Sequence, residues 1–501
     1  MFRSSITIAF FTLISRIFGL ARELFIASLF GTNDIADGVN IAFKLPNLFR
    51  RIFGEGALSS AFIPIFNEKI LESNYNARKF SGEIFTILLI SLVIIVGMIQ
   101  IFMPSLMFII APGFKGEKLE LTILLCRITM PYLIFISIAS LFGSILNSIK
   151  RFAAFAFAPV ILSASVIFIT IILNAQGISS PVSISISVLV AGLLQVIFMF
   201  YYIVRTKMTF TMNINLACND VRKFLANMWR TTIGSGATQL HLFISQSIAS
   251  FIPGAVSILS YADRIYQFPL SIIGITFSTI LLPELSRIYK QNDIIQAINV
   301  QNKAIKIGLM LSVPAAIGII MLSHPIIHII YERGAFNPED TIKTAKAISI
   351  FSFGLPAFVL AKILTPIFYA NQDTKTPLRI TIYSLIMNSI LNLLLMIPFG
   401  YLGIAFGSSI AAWYNVWLLY KSANKLGKLS ILPEMKIFCF KLFISCVSML
   451  LVLILINNYY NVSFYSESPL IKILTLGTSI ISAMLMFLFA SIYSGLIKMI
   501  Q

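Results

Sequence analysis

Six stretches of this chain, residues 84–114, 152–204, 231–262, 380–420, 442–465 and 473–497, contain no Asp, Glu, Lys or Arg. No other feature restricts the fold as tightly. A helix needs about 20 apolar residues to cross ~30 Å of hydrocarbon. The stretch 152–204 is long enough for two such helices, with a turn near Ala175-Gln176-Gly177. Backbone polar groups in lipid must be satisfied within the segment, so these stretches are helices rather than open strands. The short alternating segments of a β-barrel are absent. Charged residues make up 11% of the chain, against roughly 25% in a soluble domain, which makes lipid the main solvent.

Apolar patterning places fourteen helices at 5–30, 35–66, 84–111, 120–147, 153–175, 181–204, 222–251, 257–287, 304–331, 343–370, 377–399, 401–421, 437–457 and 469–497. Pro46 and Pro64 in the second, and Pro269 and Pro283 in the eighth, are expected to break or bend those two. The formal net charge is +18. Basic residues gather in alternate loops, among them Lys69, Arg78 and Lys79; Lys150 and Arg151; Arg205 and Lys207; Lys421, Lys425, Lys428 and Lys436. The intervening loops carry few charges or mix both signs. This positive-inside pattern puts the basic loops and both termini in the cytoplasm. It also accounts for the net charge without nucleic acid, for which no motif is present. The N-terminal segment is a retained first helix, since Arg16, Arg22 and Glu23 interrupt it and no cleavage site follows. Cys126, Cys218, Cys439 and Cys446 form no CxxC pair, so inert thiols and no metal site are expected.

An internal repeat runs through the chain. Pro131 opens PYLIFISIASLFGSILNSIKR and Pro356 opens PAFVLAKILTPIFYANQDTKTP, each a helix followed by a basic, Asn-containing turn. The offset is about six helices, so the two halves share one orientation and a substrate site is expected between them. The expected architecture is an all-α polytopic membrane protein: an N-lobe over 1–215, a C-lobe over 216–430, each a six-helix repeat around a central cavity, and an extra pair of helices over 431–501. That pair is either accessory or part of a lipid-facing groove.

A charge at the bilayer centre costs from ~2.5 to more than 10 kcal/mol, so intramembrane charges mark wet cavities or pairs. The first helix carries Arg16, Arg22 and Glu23, the second carries Asp37, Lys44, Arg50, Arg51 and Glu55, and the eighth opens with Asp263 and Arg264. Arg16 and Glu23, seven apart, share a helix face, while Arg22 lies off it. Glu55, four residues after Arg51, is within ion-pair reach of it, which leaves Arg50 to turn toward a cavity. Two readings stand: a cationic cavity made by the first, second and eighth helices, with arginine forks suited to phosphate, or helix-end snorkelling and internal ion pairs. His324 and His328 are four apart, but no acidic or Cys partner is evident beside them, so packing or interface roles are expected. No Walker loop, nucleophile elbow or catalytic carboxylate pair is present, which argues against an enzyme.

The segment SRIFGLARE (15–23), followed by DGVNIAFKLPNLFRRIFGEGALSSAFIPIF (37–66), closely resembles the MurJ family, also called MviN. These are the bacterial lipid II flippases of the multidrug/oligosaccharidyl-lipid/polysaccharide exporter superfamily. SYADRIYQFPLSIIGITFSTILLPELS (260–286) and YANQDTKTP (369–377) resemble the family's eighth helix and its tenth-to-eleventh turn. The resemblance implies an inner-membrane transporter that moves lipid II, the undecaprenyl-pyrophosphate-linked muropeptide of peptidoglycan biosynthesis, from the cytoplasmic to the periplasmic leaflet by alternating access. It implies that Arg16, Arg22, Arg50 and Arg264 line the cavity, with Asp37 and Asp263 as accompanying acids, and that the undecaprenyl tail follows a groove along the last two helices. Membrane lipids surround the chain, and cell-wall synthesis proteins are candidate partners. The resemblance implies that some members bind sodium through an acid on the seventh helix and Asn, Asp and Thr on the eleventh. Here 224–262 and 374–433 contain no acid, only neutral residues such as Gln239, Gln246, Asn388 and Asn392. No cofactor is expected, and membrane potential is the expected driver.

Two functions compete within the superfamily. An exporter of another lipid-linked oligosaccharide would share the basic cavity but not the KLPNLFRRIFGEGA stretch. A drug/cation antiporter would need anionic cavity residues in place of the arginine excess. A scaffold, as a different class, would not need intramembrane arginines.

Overall fold

The computed structural model describes residues 2–50, 57–213, 218–459, 464 and 468–499. The side chains of residues 2–9, 57, 230, 232–242, 275, 278 and 279 lie outside that description. Arg51 and Glu55 are therefore outside the described residues, as are the side chains of Arg230, Gln239 and His241. Among the described residues there is no strand, and the chain is all-α. The helices are α1 (Phe2–Phe30), α2 (Asp34–Phe49), α3 (Ala57–Glu72), α4 (Asn74–Ile101), α5 (Met103–Ile110), α6 (Gly116–Thr129), α7 (Tyr132–Ser148), α8 (Phe152–Ala175), α9 (Ser180–Arg205) and α10 (Asn219–Ala249). They continue with α11 (Ala255–Lys290), α12 (Ile294–Met321), α13 (Ser323–Tyr331), α14 (Pro338–Phe353), α15 (Leu355–Ala370), α16 (Lys375–Phe399), α17 (Tyr401–Lys425), α18 (Glu434–Tyr459) and α19 (Pro469–Tyr493). Ten stretches among the described residues are long and apolar enough to cross a membrane.

Several predicted single helices are two. The stretch 84–111 is interrupted at Phe102, 120–147 at Met130-Pro131, 304–331 at Leu322 and 343–370 at Gly354. Each restart carries a proline at or near the new first turn: Pro104, Pro131, Pro325 and Pro356. A proline supplies no N–H to the preceding turn, and its fixed φ suits a helix start. The prolines expected to break the eighth helix behave differently. Pro269 and Pro283 both lie inside one continuous α11.

The chain divides into two compact units, Met1–Val256 and Ser257–Gln501. In the first, Phe62 of α3 stacks on Phe66 at 5.0 Å and on Phe80 of α4 at 5.5 Å, with the Phe224 ring of α10 edge-on at 6.5 Å. In the second, Tyr261 of α11, Tyr331 of α13 and Phe336 form a buried aromatic triangle with centroids 5.3–5.8 Å apart. The α16–α17 hairpin is very close. A Cβ at Gly407 would clash with the Asn392 side-chain amide, and Asn388 and Asn392 are buried there. Outward faces are apolar. On α19, Leu470, Leu485, Phe489 and Ile492 are each more than 60% exposed. Such continuous apolar exposure is incompatible with water and suits lipid.

Candidate functional site

In the first unit the site begins at the N-terminus of α2. Asn33 caps that helix, its side-chain oxygen accepting from the Ala36 N–H at 2.9 Å. Asp34 and Asp37 then sit in the first turn, where the positive end of the helix dipole favours acids. Asp37 is completely buried. Its Oδ2 accepts from Lys118 Nζ on α6 at 2.8 Å and from the Gly254 backbone N–H at 2.9 Å. Lys118 also reaches Asp34 Oδ1 at 2.7 Å and lies 4.0 Å from the Phe114 ring centroid. Close approach of α2 to α6 needs Gly38, where a Cβ would stand 2.8 Å from Thr122 Oγ1.

One α-helical stretch further along, Arg22 of α1 is half-buried, with its guanidinium carbon 5.4 Å from the ring centroid of Phe43 on α2. A guanidinium over an aromatic face is held by the ring quadrupole. Arg50, at the end of α2, is half-buried and donates from Nε to Asn47 Oδ1 at 3.1 Å. Tyr132 on α7 is buried. Tyr132 donates to Gln195 Oε1 on α9 at 3.4 Å, and Gln195 donates to Ala158 O on α8 at 2.7 Å. The first unit thus holds two half-buried arginines, Arg22 over the Phe43 ring and Arg50 at the end of α2. Arg16 lies on an exposed stretch of α1.

In the second unit, Asp263 is half-buried on α11 and accepts a short hydrogen bond from Gln267 Nε2, one turn on. Arg264 is exposed.

Outside the spans, Lys69 at the end of α3 bridges Glu72 at 2.9 Å and Asp220 of α10 at 3.0 Å. These carboxylates raise the Lys69 pKa, Glu72 most, and Lys69 in turn holds Glu72 below the usual carboxylate range. His328 needs a correction. Its Nδ1 lies 2.8 Å from Glu332 Oε2, an acidic partner one turn away, and Lys472 of α19 approaches its Nε2 at 3.0 Å. Thr341 Oγ1 completes the cluster by donating to Glu332 at 2.6 Å.

Sequence reasoning missed Phe43, Lys118 and Tyr132. Lys118 is 81 residues from Asp37, and no local spacing signals such a pair. Glu332 was readable, because i, i+4 places it on the His328 face.

An all-helical chain with ten stretches long and apolar enough to span a membrane, among the described residues, and with apolar outward faces defines a polytopic integral membrane protein. Solved structures share the fold. An inward-facing MATE family multidrug-resistance transporter of the MOP superfamily superposes with a TM-score of 0.69 at 16% identity, covering 84% of this chain and 97% of that one. A lipid II flippase MurJ in an inward closed conformation superposes with a TM-score of 0.78 at 26% identity, covering 97% and 98%. The family model described as "Lipid II flippase MurJ" matches residues 26–476. A protein of Rickettsia prowazekii (strain Madrid E), described as "Probable lipid II flippase MurJ", is 59% identical over 489 residues, 97% of this chain and 96% of that protein. A Rhizobium tropici protein of the same description is 40% identical over 431 residues, 85% and 81% of the two chains. The chain belongs to the MurJ family.

Proposed function

We propose that this chain is a lipid II flippase of the bacterial inner membrane. It carries the lipid-linked peptidoglycan precursor from the cytoplasmic to the periplasmic leaflet by alternating access, with both termini cytoplasmic. The observation that carries the reading is the pair of half-buried arginines in apolar helices, Arg22 held over the Phe43 ring and Arg50 at the end of α2. Planar guanidinium forks suit the phosphates of a pyrophosphate, each able to accept paired hydrogen bonds. Phe43 stiffens Arg22, which lowers the entropy lost when the headgroup is bound. Arg16 contributes a third cation along α1. Asp37 supports the site by fixing the start of α2 through Lys118. The undecaprenyl tail runs along α18 and α19, whose exposed faces are apolar. No bond in the cargo is made or broken, so the protein needs no catalytic group.

The return of an empty cationic carrier is driven by membrane potential, worth about 2.3 kcal/mol per elementary charge per 100 mV. Transport unchanged after the potential is collapsed at constant sodium would refute that coupling.

The function itself is tested in a bacterium depleted of its own flippase. Expression of this chain should restore lipid II on the outer face of the inner membrane, and Arg22→Ala or Arg50→Ala at matched levels should not. A well-folded wild type that restores nothing would assign the cargo to another lipid-linked sugar.

A further inference from the structure

The basic end of α7–α9 holds a cleft that the transport reading does not use. Lys150 turns the chain between α7 and α8 with φ +61°, and Arg151 follows as the residue before α8. No side chain caps α8, so its first N–H groups have no partner within the helix. The end of α9 faces this turn. Between them lies a cavity of about 450 Å³ lined by Lys150, Arg151, Phe152, Tyr202, Arg205 and Thr206.

Among the described residues, the lining of the cleft carries three cations and no acid. Residues 121–219 carry Arg127, Lys150, Arg151, Arg205 and Lys207 and contain no Asp or Glu. Among the described residues, the recorded ion pairs involve none of Lys150, Arg151 or Arg205. Arg205 instead lies over the Tyr201 ring, 5.2 Å from its centroid. Three cations and an uncapped helix start on one cavity attract an anion with several acceptor oxygens, which is the chemistry of phosphate.

A second observation tells which phosphate. Ile197, Tyr201 and Val204 form one exposed face of α9 leading to the cleft, at 55%, 52% and 48% exposure. An apolar face ending at a cationic pocket matches the shape of a lipid, with acyl chains along the helix and a headgroup at its end. Basic pockets between spanning helices are a known way of holding anionic headgroups.

We propose that this cleft binds the phosphate headgroup of an anionic glycerophospholipid, at a site separate from the arginines of α1 and α2. The inference rests on the chain's membrane setting and not on the identity of its cargo.

The test uses the full chain purified in a neutral detergent. Short-chain phosphatidylglycerol, phosphatidylcholine with the same chains, and inorganic phosphate are titrated separately, with binding read by native mass spectrometry. The variants are the triple Lys150→Gln/Arg151→Gln/Arg205→Gln and a control triple, Lys425→Gln/Lys428→Gln/Lys436→Gln, which removes equal charge elsewhere. Each cation near a membrane surface is worth roughly fivefold in affinity, so the cleft triple should lose phosphatidylglycerol binding by about a hundredfold and the control triple should keep it. Equal loss in both triples would overturn the proposal in favour of diffuse surface charge. Saturable binding of inorganic phosphate as tight as that of phosphatidylglycerol would overturn the lipid assignment. If the cleft triple does not elute as a folded monodisperse species, the single Arg151→Gln, expected to lose about fivefold, decides by the same criteria.

Discussion

Asp37 and Lys118 should show opposite responses to one substitution in two backgrounds. Asp37 is fully buried and its Oδ2 is held by Lys118 Nζ and the Gly254 N–H. Removing one member of a buried pair costs about 3–5 kcal/mol, because the other charge stays buried without compensation. Lys118→Met should fall at the lower end, about 3 kcal/mol, since the Gly254 N–H still donates to the carboxylate. Asp37→Asn is milder, at about 1 kcal/mol: the amide oxygen still accepts from Gly254, and Lys118 retains Asp34. In the Lys118→Met background, however, Asp37→Asn removes a buried charge that has lost the Lys118 cation and should recover about 2 kcal/mol. The assay is maleimide labelling of Cys126, which is fully buried on α6 and reports local opening of that helix. The other three cysteines are replaced by serine. A loss of 3 kcal/mol should speed labelling about 150-fold. Asp37→Asn should then accelerate labelling in the wild-type background and slow it in the Lys118→Met background. If Asp37→Asn accelerates both backgrounds by the same factor, the two residues are uncoupled and the reasoning fails.

Three further outcomes are expected. Gly113→Ala places a Cβ 2.4 Å from the backbone of Ser250 and Phe251 and should cost about 1–3 kcal/mol; Gly97→Ala, with nothing within 4 Å, should be neutral or stabilising, and thermal midpoints of the two compare them. Asp373 is held below the usual aspartate range by the Thr376 side chain, with the Thr376 and Lys375 N–H groups adding to it. A depressed pKa stabilises above the unfolded value of about 3.9 and is lost as pH falls through the folded value, so amide exchange at Lys375 and Thr376, read by hydrogen exchange, should depart from its intrinsic pH trend only on acidification below that range, and Asp373→Asn should remove the departure. Lys306→Met should release the turn at Ile497–Met499 by removing the donor to Met499 O, raising exchange there about tenfold, the worth of one charge-assisted bond, with the buried aromatic triangle of the second unit unchanged.

The sequence made the helices legible because lipid leaves few alternatives: an uncharged stretch such as 152–204 can only become α8 and α9. Helix interruptions were less legible. Pro131 and Pro356 restart helices, whereas Pro269 and Pro283 lie within one, so a proline by itself does not fix where a helix breaks. Within the candidate site, Arg22 and Arg50 stand out because charge in an apolar helix is costly. Their neighbours do not, since Phe43 and Tyr132 look like ordinary core aromatics until α1, α2 and α7 are assembled. Asn33 and Asp37 were readable as a helix start, but the cation that neutralises Asp37 came from another helix.

Lys306 has a consequence for how the second unit is made. It is 5% exposed, yet its partners Glu434 and the Met499 carbonyl lie 128 and 193 residues further along the chain. A ribosome adding about 5–20 residues per second needs roughly 10–40 s to reach the second of them. For roughly the first 6–26 s of that interval, until Glu434 is added, the lysine has neither of these partners, and until Met499 is added it lacks the second, so α12 cannot settle with its full set of contacts. Synthesis order therefore holds this helix in a wetter, looser setting until α18, α19 and the turn after them arrive.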